Sequence, residues 1–355
     1  MHPAVGAVGR GLRAGGSWFT RQPWWAHVLI TLGVVIVVEV IALVALTASV
    51  IDIEGENRGT TPEVPRQSLP DRAERLDLAG RFAPILKLAR DELFVPIDRP
   101  AYIGDTQLKQ EEGKFVKVVD PTPTAAHLPF REGTCLRVRG CTYFLDVRGV
   151  EPDPPTSSAR AYDALENHLL RQGAKPTVYA HVTRYDDTGD YAVQYWFLYF
   201  FNYRLNEHES DWEQITLRLD EDRKPVDAFY SAHAGGRVLL WKRIEHPDGE
   251  HPVVYVALGS HANYFRPGPH RVLLGCKRVV GSVKACLKEK VKPDLADGRG
   301  RELQVGRDYG IRELTGPVFV GSYGSGNYVI LTRKPDILSD PRRRAAWLDP
   351  LASFR

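Results

Sequence analysis

The sequence predicts a mainly β protein: an antiparallel, β-sandwich-like domain with a few short helices, preceded by one transmembrane helix. Three observations carry this. Fifteen Tyr, thirteen Phe and seven Trp, together with many β-branched residues, favour strands over helices. From Thr177 onward, short apolar and aromatic runs alternate with turn residues at the spacing of antiparallel strands. Val28–Ile51 is apolar throughout except for Glu39 and a few hydroxyl residues, long enough to cross a bilayer core as a helix.

Arg10, Arg13 and Arg21 precede the apolar run without an acidic residue, and Asp52, Glu54 and Glu56 follow it. The positive-inside rule then keeps residues 1–26 in the cytoplasm and sends the rest outside, with Trp24 and Trp25 as interfacial anchors. A cleaved signal peptide is the alternative, with Thr47-Ala48-Ser49 as its cleavage site. The apolar run exceeds the roughly 7–15 residues such signals use, which favours an uncleaved anchor over 27–51. The expected localisation is the cell membrane, single-pass, with the C-terminal domain outside the cytoplasm. Glu39 is costly within lipid, so it stays protonated or faces a second protomer or a partner helix; a homo-oligomer through this helix is one expectation. The chain has no second span, which argues against a channel or carrier.

Residues 52–75 read as a linker, polar and Pro-containing over Gly55–Pro70. The domain runs over 76–335, followed by a tail, 336–355. Pro84 and Pro96 exclude a long helix over Arg81–Pro96, and Ile85–Leu88 suits an extended segment. Pro121–Pro129 reads as a loop, and Cys135–Val147 as a stapled hairpin. A helix is predicted over Ser157–Gly173, capped by Ser157 or Ser158, striped by Tyr162, Leu165 and Leu169, and ended by Gly173. Its His168 is packing or surface. Thr177–Tyr185, a turn at Asp186–Asp190 and Tyr191–Phe201 form a hairpin whose second strand, aromatic on both faces, is central. Further strands are predicted over Asp211–Leu219, Val226–His233, Val238–Ile244 and Pro252–Leu258.

Lys+Arg 47 against Asp+Glu 44, net +3, leaves no block of like charge, and Arg342–Arg344 is too short to indicate nucleic acid. All four cysteines follow the anchor. An even count in an exported domain suits two disulfides, paired locally as Cys135–Cys141 and Cys276–Cys286, with three connectivities possible. Neither pair has zinc-knuckle spacing.

The chemistry concentrates at Asn206–Glu213, N-E-H-E-S-D-W-E. Period two along the strand from Asp211 puts Asp211, Glu213, Ile215, Leu217 and Leu219 on one face. Two carboxylates thus enter the end of a hydrophobic stripe, where an unpaired charge is expensive. With His208 in the loop ahead, they suit a hard divalent cation, Mg²⁺ or Ca²⁺, with Mn²⁺ or Zn²⁺ open because of the His. The alternative is an ion pair to Arg218 or another arginine. His233 in Tyr230–Gly236 and His261 in Leu258–Phe265 stand at strand exits, as further ligands or outer partners. Either is equally readable as a hydrogen-bonded structural residue. His208-Glu209 lacks the second His of a zincin, because position 212 is Trp. Gly259-Ser260-His261 lacks the frame of a nucleophile elbow. Gly321–Gly326 is a hairpin turn or an adaptable loop, not a phosphate cradle.

Tyr195-Trp-Phe, His208–Glu213, Tyr230–Gly236 and His251–Asn263, with Phe82–Leu86, Asp91-Glu92 and Phe94–Pro96, resemble the vacuolar protein sorting-associated protein 62 family over Leu76–Phe265. That family's pattern resembles His-x-Gly-Asp-Trp-Glu, with Ser210 here in place of Gly. More distantly the stretch is similar to the necrosis- and ethylene-inducing peptide-like cytolysins, whose heptapeptide matches at His208, Asp211, Trp212 and Glu213 and departs at Glu207, Glu209 and Ser210. The resemblance implies a β-sandwich, a divalent cation on His208, Asp211 and Glu213, and a glycan or lipid head group as ligand. It does not imply toxicity. Trp212 and Tyr195 are the expected ligand-binding aromatics. The competing class is a metal-dependent hydrolase of phosphoester or glycosidic bonds with a His as general base; the absence of a clear nucleophile favours binding over catalysis. The topology is testable: protease added to intact cells should digest the domain, and protection until lysis contradicts an outward-facing C-terminus.

Overall fold

The computed structural model describes residues 64–128, 141–150, 158–204, 207–233, 235–272, 277–278, 284–285, 292–325 and 338–355. Strands β1 to β12 are Gln67–Ser68, Ile85–Leu88, Thr106–Glu112, Phe115–Asp120, Cys141–Val147, Thr177–Tyr185, Tyr191–Asn202, His208–Leu219, Pro225–Ala232, Gly235–Leu240, Val253–Val256 and Asn263–Tyr264. Helices α1 to α3 are Arg72–Arg81, Arg99–Gly104 and Ser158–Arg171. Val64–Lys277 and Lys284–Arg355 make one unit; the remainder, 1–63 with 278–283, lies outside the described residues apart from Arg278. The apolar run Val28–Ile51 is therefore not described, and among the described residues no helix is long and apolar enough to cross a membrane.

The main sheet runs β1-β6-β7-β8-β9-β10, with Gly310–Glu313 beside β6. Its centre is β7, all twelve residues of which are buried, as the two-faced aromatic pattern predicts. β7 pairs antiparallel with β6 on one side and β8 on the other. The turn between β6 and β7 uses Gly189 at φ 76°, a conformation that costs glycine little. A second sheet, β12-β11-β2 with Glu302–Leu303, stacks its Leu86, Leu88, Val254 and Val256 into one core with Tyr195, Phe197, Ile215, Leu217 and Tyr230 of the main sheet. Its other side, Ile85, Val253 and Tyr255, packs on Ala257, Ala262 and Ala296. Both faces of β11 are buried, which accounts for the continuous apolar run Val-Val-Tyr-Val.

The architecture is mainly β with antiparallel pairing dominant, but two pairings are parallel, β2 with β11 and Gly310–Glu313 with β6. Long crossovers separate the partners in each case, which is the condition parallel pairing needs. β8 begins at His208, so that residue sits in the strand and not in the loop before it. β5 pairs with β3, which also pairs with β4 across the Gly113 turn. The other half of the expected Cys135–Val147 hairpin lies outside the described residues. Cys141 is disulfide-bonded; Cys135, Cys276 and Cys286 fall outside the description, so the pairing stays an expectation.

Two segments taken as flanking the domain are built into it. Gln67 and Ser68 pair with Tyr185 and Arg184, and α1 is capped by Asp71, which accepts from the Glu74 N–H at 2.9 Å. At the other end, Leu338–Arg355 lies across the face of the main sheet opposite the core. There Gln194 donates to the Ala346 carbonyl at 2.8 Å and Tyr185 donates to Asp349 at 2.7 Å. The Trp347 ring stacks on His181 at 3.8 Å. α3 matches its predicted span, ending at Gly173 with φ 99°. His168 on it meets Gln172 at the surface.

Burial under Trp347 lowers the His181 pKa to about 4 despite the Gln194 hydrogen bond, with Arg75 and Glu313 as the charged neighbours. Its folded pKa lies below the unfolded value near 6.5, so the unfolded chain binds the proton first and stability falls as pH drops from about 6.5 to 4. His181→Gln should remove on the order of 2–3 kcal/mol of that acid loss, read as converging melting curves of variant and wild type across this window. Parallel curves would contradict it.

Candidate functional site

The core-facing side of β8 carries Asp211, Glu213, Ile215, Leu217 and Leu219 opposite Tyr199, Phe197, Tyr195, Val193 and Tyr191 of β7. The predicted alternation holds, and Arg218 points the other way, to Asp227 at 2.7 Å and Asp190 at 3.4 Å. Arg218 is thus not the partner of the two acids. His208 and Asp211 are three apart and would face opposite sides of a regular strand. Ser210 between them has φ 55°, which breaks the alternation and lets His208 Nε2 stand 3.5 Å from Asp211 Oδ1.

Asp211 is the hub. Its Oδ2 accepts from Asn202 Nδ2 at 2.9 Å and from His261 Nδ1 at 2.9 Å. The His261 ring stacks on Tyr199 at 4.0 Å, and its Nε2 lies 3.4 Å from Glu92 Oε1. Glu92 is anchored in turn by the Gly259 N–H at 2.6 Å, the Phe94 N–H at 3.0 Å and the Tyr203 hydroxyl at 3.3 Å. Burial alone would raise the Asp211 carboxyl; the His208 and His261 rings overcome it and hold it well below the usual carboxylate range. Burial alone would lower His261, but the carboxylates of Glu92 and Asp211 lift it to about 10. The ring thus has a carboxylate facing each nitrogen, hydrogen-bonded at Nδ1 and at ion-pair distance only at Nε2. His261 is placed as a counter-ion to both carboxylates.

Glu213 looks the other way. Its Oε2 accepts a short hydrogen bond from Ser231, whose Oγ accepts from the Gln214 N–H at 3.0 Å. Burial, then the nearby Asp211 charge, push the Glu213 carboxyl up to about 8. His233, held at φ 56°, meets Asp294 Oδ2 at 2.6 Å, and Tyr264 donates to the same oxygen at 2.9 Å. Asp294 is fully buried, with Arg204 Nε 3.6 Å from its other oxygen. Burial raises Asp294, but the bond from His233 lowers it overall, and the same bond raises His233 against its own burial.

The sequence-predicted residues therefore share one region but fall into two groups: His208, Asp211 and His261 in one, Glu213 and His233 in the other. Tyr195 and Trp212 are both buried in the core. Tyr195 is fully buried and donates to the Ala79 carbonyl at 2.9 Å. Trp212 lies buried between Tyr179 and Tyr323, on the face away from Asp211. Gly321 and Gly324 pack directly against the Tyr143 and Glu209 carbonyls, where any Cβ would collide, so that loop is a packing strap. Glu209 holds it through the Ser325 N–H at 3.1 Å while accepting from Tyr162 at 2.8 Å. The sequence reading missed Glu92, Ser231 and Asp294 as site members. Asp91-Glu92 and Ser231 lie in stretches that carry the family resemblance, but no spacing rule links Glu92 to a strand more than a hundred residues away.

The donors suit a divalent cation in type, one imidazole and two carboxylates, and the His208–Asp211 separation is that of neighbouring ligands. Yet among the described residues no three His, Cys, Asp or Glu converge on one point, because Glu213 is turned toward Ser231.

A family model described as vacuolar protein sorting-associated protein 62 matches residues 189–295, a stretch that includes β7, β8, His233, His261 and Asp294. No curated protein matches the chain. Among solved structures, NLPPya in complex with glucosamine is 19% identical with a TM-score of 0.27, over 55% of this chain and 66% of that one. NLPPya in complex with mannosamine is 19% identical with a TM-score of 0.30, over 58% and 73%. A structure described as a toxin fold for microbial attack and plant defense is 18% identical with a TM-score of 0.27, over 54% and 67%. The chain thus spans about two thirds of these proteins, and the overlaps are too loose to bear on the site.

The vacuolar family's pattern, with Gly where this chain has Ser210, now has a physical reading. A left-handed backbone costs an L-residue about 1–2 kcal/mol, less the entropy glycine forfeits, about 0.4–1 kcal/mol. Ser210→Gly should accordingly stabilise the domain by up to about 1.5 kcal/mol, measured by denaturant unfolding; a destabilised variant would show that the serine hydroxyl outweighs the backbone.

Proposed function

We propose that this chain is a membrane-anchored, extracytoplasmic binding module whose β-sandwich-like domain takes up a divalent cation at His208 and Asp211, completed by Glu213, and uses the site to engage a glycan or lipid head group. The observation that carries the reading is a buried Asp211 two residues from a partly buried Glu213 on one hydrophobic strand face, with His208 Nε2 3.5 Å from Asp211 Oδ1. Carboxylates in that position lose hydration and repel one another, and a divalent ion offsets both costs. Mg²⁺ or Ca²⁺ suits the oxygens, Mn²⁺ or Zn²⁺ the imidazole. A bound ion would supply a positive centre for the oxygens of a sugar or phosphate.

His261 and Asn202 orient the Asp211 carboxylate, and β7 walls the site from water. Partly exposed at its rim, His233 and Arg204 offer donors to a head group. The anchor over 27–51 would hold the module at the cell surface, with Glu39 facing a second protomer. A metal-dependent hydrolase is the second reading, favoured by one feature: His233 is oriented by a buried carboxylate at 2.6 Å, the arrangement of a general base.

Calorimetric titration of the full chain with Mg²⁺, Ca²⁺, Mn²⁺ and Zn²⁺, beside melting with and without chelator, tests the reading. An ion at a hundredfold excess over Kd should stabilise the fold by about 2.7 kcal/mol. Asp211→Asn and Glu213→Gln should abolish that difference. Turnover on phosphoester and glycoside panels, set beside glycan and lipid arrays, separates binding from hydrolysis. A metal-free protein whose melting ignores both ion and chelator would leave Asp211 and Glu213 as members of a structural hydrogen-bond network.

A further inference from the structure

We propose that Glu92 is a positioning residue for this site, holding His261 from behind and through it aiming Asp211 at His208. The inference rests on the cation reading above and assigns a role to the one acidic residue brought to the site from the start of the domain. Glu92 has a fully buried side chain and follows β2. Its Oε2 is fixed by the Gly259 N–H at 2.6 Å and the Tyr203 hydroxyl at 3.3 Å, and its Oε1 by the Phe94 N–H at 3.0 Å.

That geometry leaves Oε1 facing His261 Nε2 at 3.4 Å, too long for a strong hydrogen bond but close for an ion pair in a low-dielectric interior. The far side of the ring donates to Asp211 Oδ2 at 2.9 Å. Stacking on Tyr199 at 4.0 Å and the Phe94 edge at 6.3 Å keep the ring from turning. The backbone is fixed too. His261 has φ 52°, and Gly259, at φ 72°, has the Tyr203 ring 2.9 Å from where a Cβ would stand. With Oδ2 committed to His261 and Asn202, Asp211 is left with Oδ1 directed at His208. The line carboxylate, imidazole, carboxylate therefore sets which oxygen the site presents.

The test uses the full chain in detergent, titrated with Mg²⁺, Ca²⁺ and Mn²⁺. Glu92→Gln keeps the shape and one of the two acceptor oxygens that Gly259 and Phe94 use but removes the charge facing His261. Tyr203→Phe deletes a different bond to the same carboxylate and spares the pair. Glu92→Gln should weaken cation binding about 10–100-fold, the usual effect of removing a ligand's outer partner, while Tyr203→Phe leaves the affinity within twofold. Unchanged affinity in Glu92→Gln, or an equal loss in both variants, overturns the proposal. Should Glu92→Gln fail to fold, Glu92→Asp, which keeps the charge but withdraws it from the ring, carries the same expectation. Should the wild type bind none of the ions, the cation reading fails by itself. The role of Glu92 is then read from the ring ¹⁵N signals of His261, which Glu92→Gln should shift and Tyr203→Phe should not; unmoved signals overturn it.

Discussion

Everything in the upper part of this domain depends on keeping Asp211 charged inside a hydrophobic sheet. A lone carboxylate in such a position would lose several kcal/mol of hydration and take up a proton instead. Here it does the opposite, because two imidazoles and an amide converge on it from three different places in the chain: His208 and Asn202 from the β7–β8 pair, His261 from the turn after β11. The charge is thus both the cost and the organiser. Each partner must be held where the charge needs it, and the held partners are the ones whose surroundings are most constrained.

The backbone shows where that constraint is taken up. Of the four non-glycine residues with positive φ among those described, three are Ser210, His233 and His261, all within the site; the fourth, Arg223, sits in an ordinary turn. Strain of this kind persists only where surrounding structure over-determines it. Tyr203 and Glu92 clamp the turn that bears His261, and Asp294 holds His233. Ser210 is locked between the paired ends of β7 and β8.

Much of this was legible in the chain. Period two assigned the β8 faces correctly, and the aromatic run over Tyr191–Phe201 announced a central strand. Cap and glycine signals bounded α3. These are local rules, and they succeed where burial is local. They failed where the answer depended on another part of the fold. His208 was expected in a loop because nothing in its neighbours reveals the left-handed Ser210. Trp212 and Tyr195 read as ligand aromatics because aromaticity does not say which side of a sheet is covered; here Tyr179 and Tyr323 pack on the Trp212 ring, and the Tyr195 hydroxyl is taken up by the Ala79 carbonyl of α1. Asp294 and Glu92 were invisible as partners, since pairing across tens to more than a hundred residues leaves no periodicity.

The same covering explains why the two acids on β8 behave differently although they are only two residues apart. Asp211 stands opposite Tyr199 and beneath His261, where the neighbouring groups are the imidazoles of His208 and His261. Glu213 stands opposite Phe197, and its one close donor is the neutral hydroxyl of Ser231. A like charge nearby and no cation in contact favour the protonated form, so burial pushes Glu213 up while imidazoles pull Asp211 down. Pairs of carboxyls driven apart in this way are a mark of sites where a charge is to be received. A cation bound between them would reverse the preference of Glu213 by replacing its proton, and His233, whose ring feels both carboxyls and Asp294, would register that change at the rim. The deep hub and the partly exposed His233 thus feel one another's charge, even though no single bond connects them.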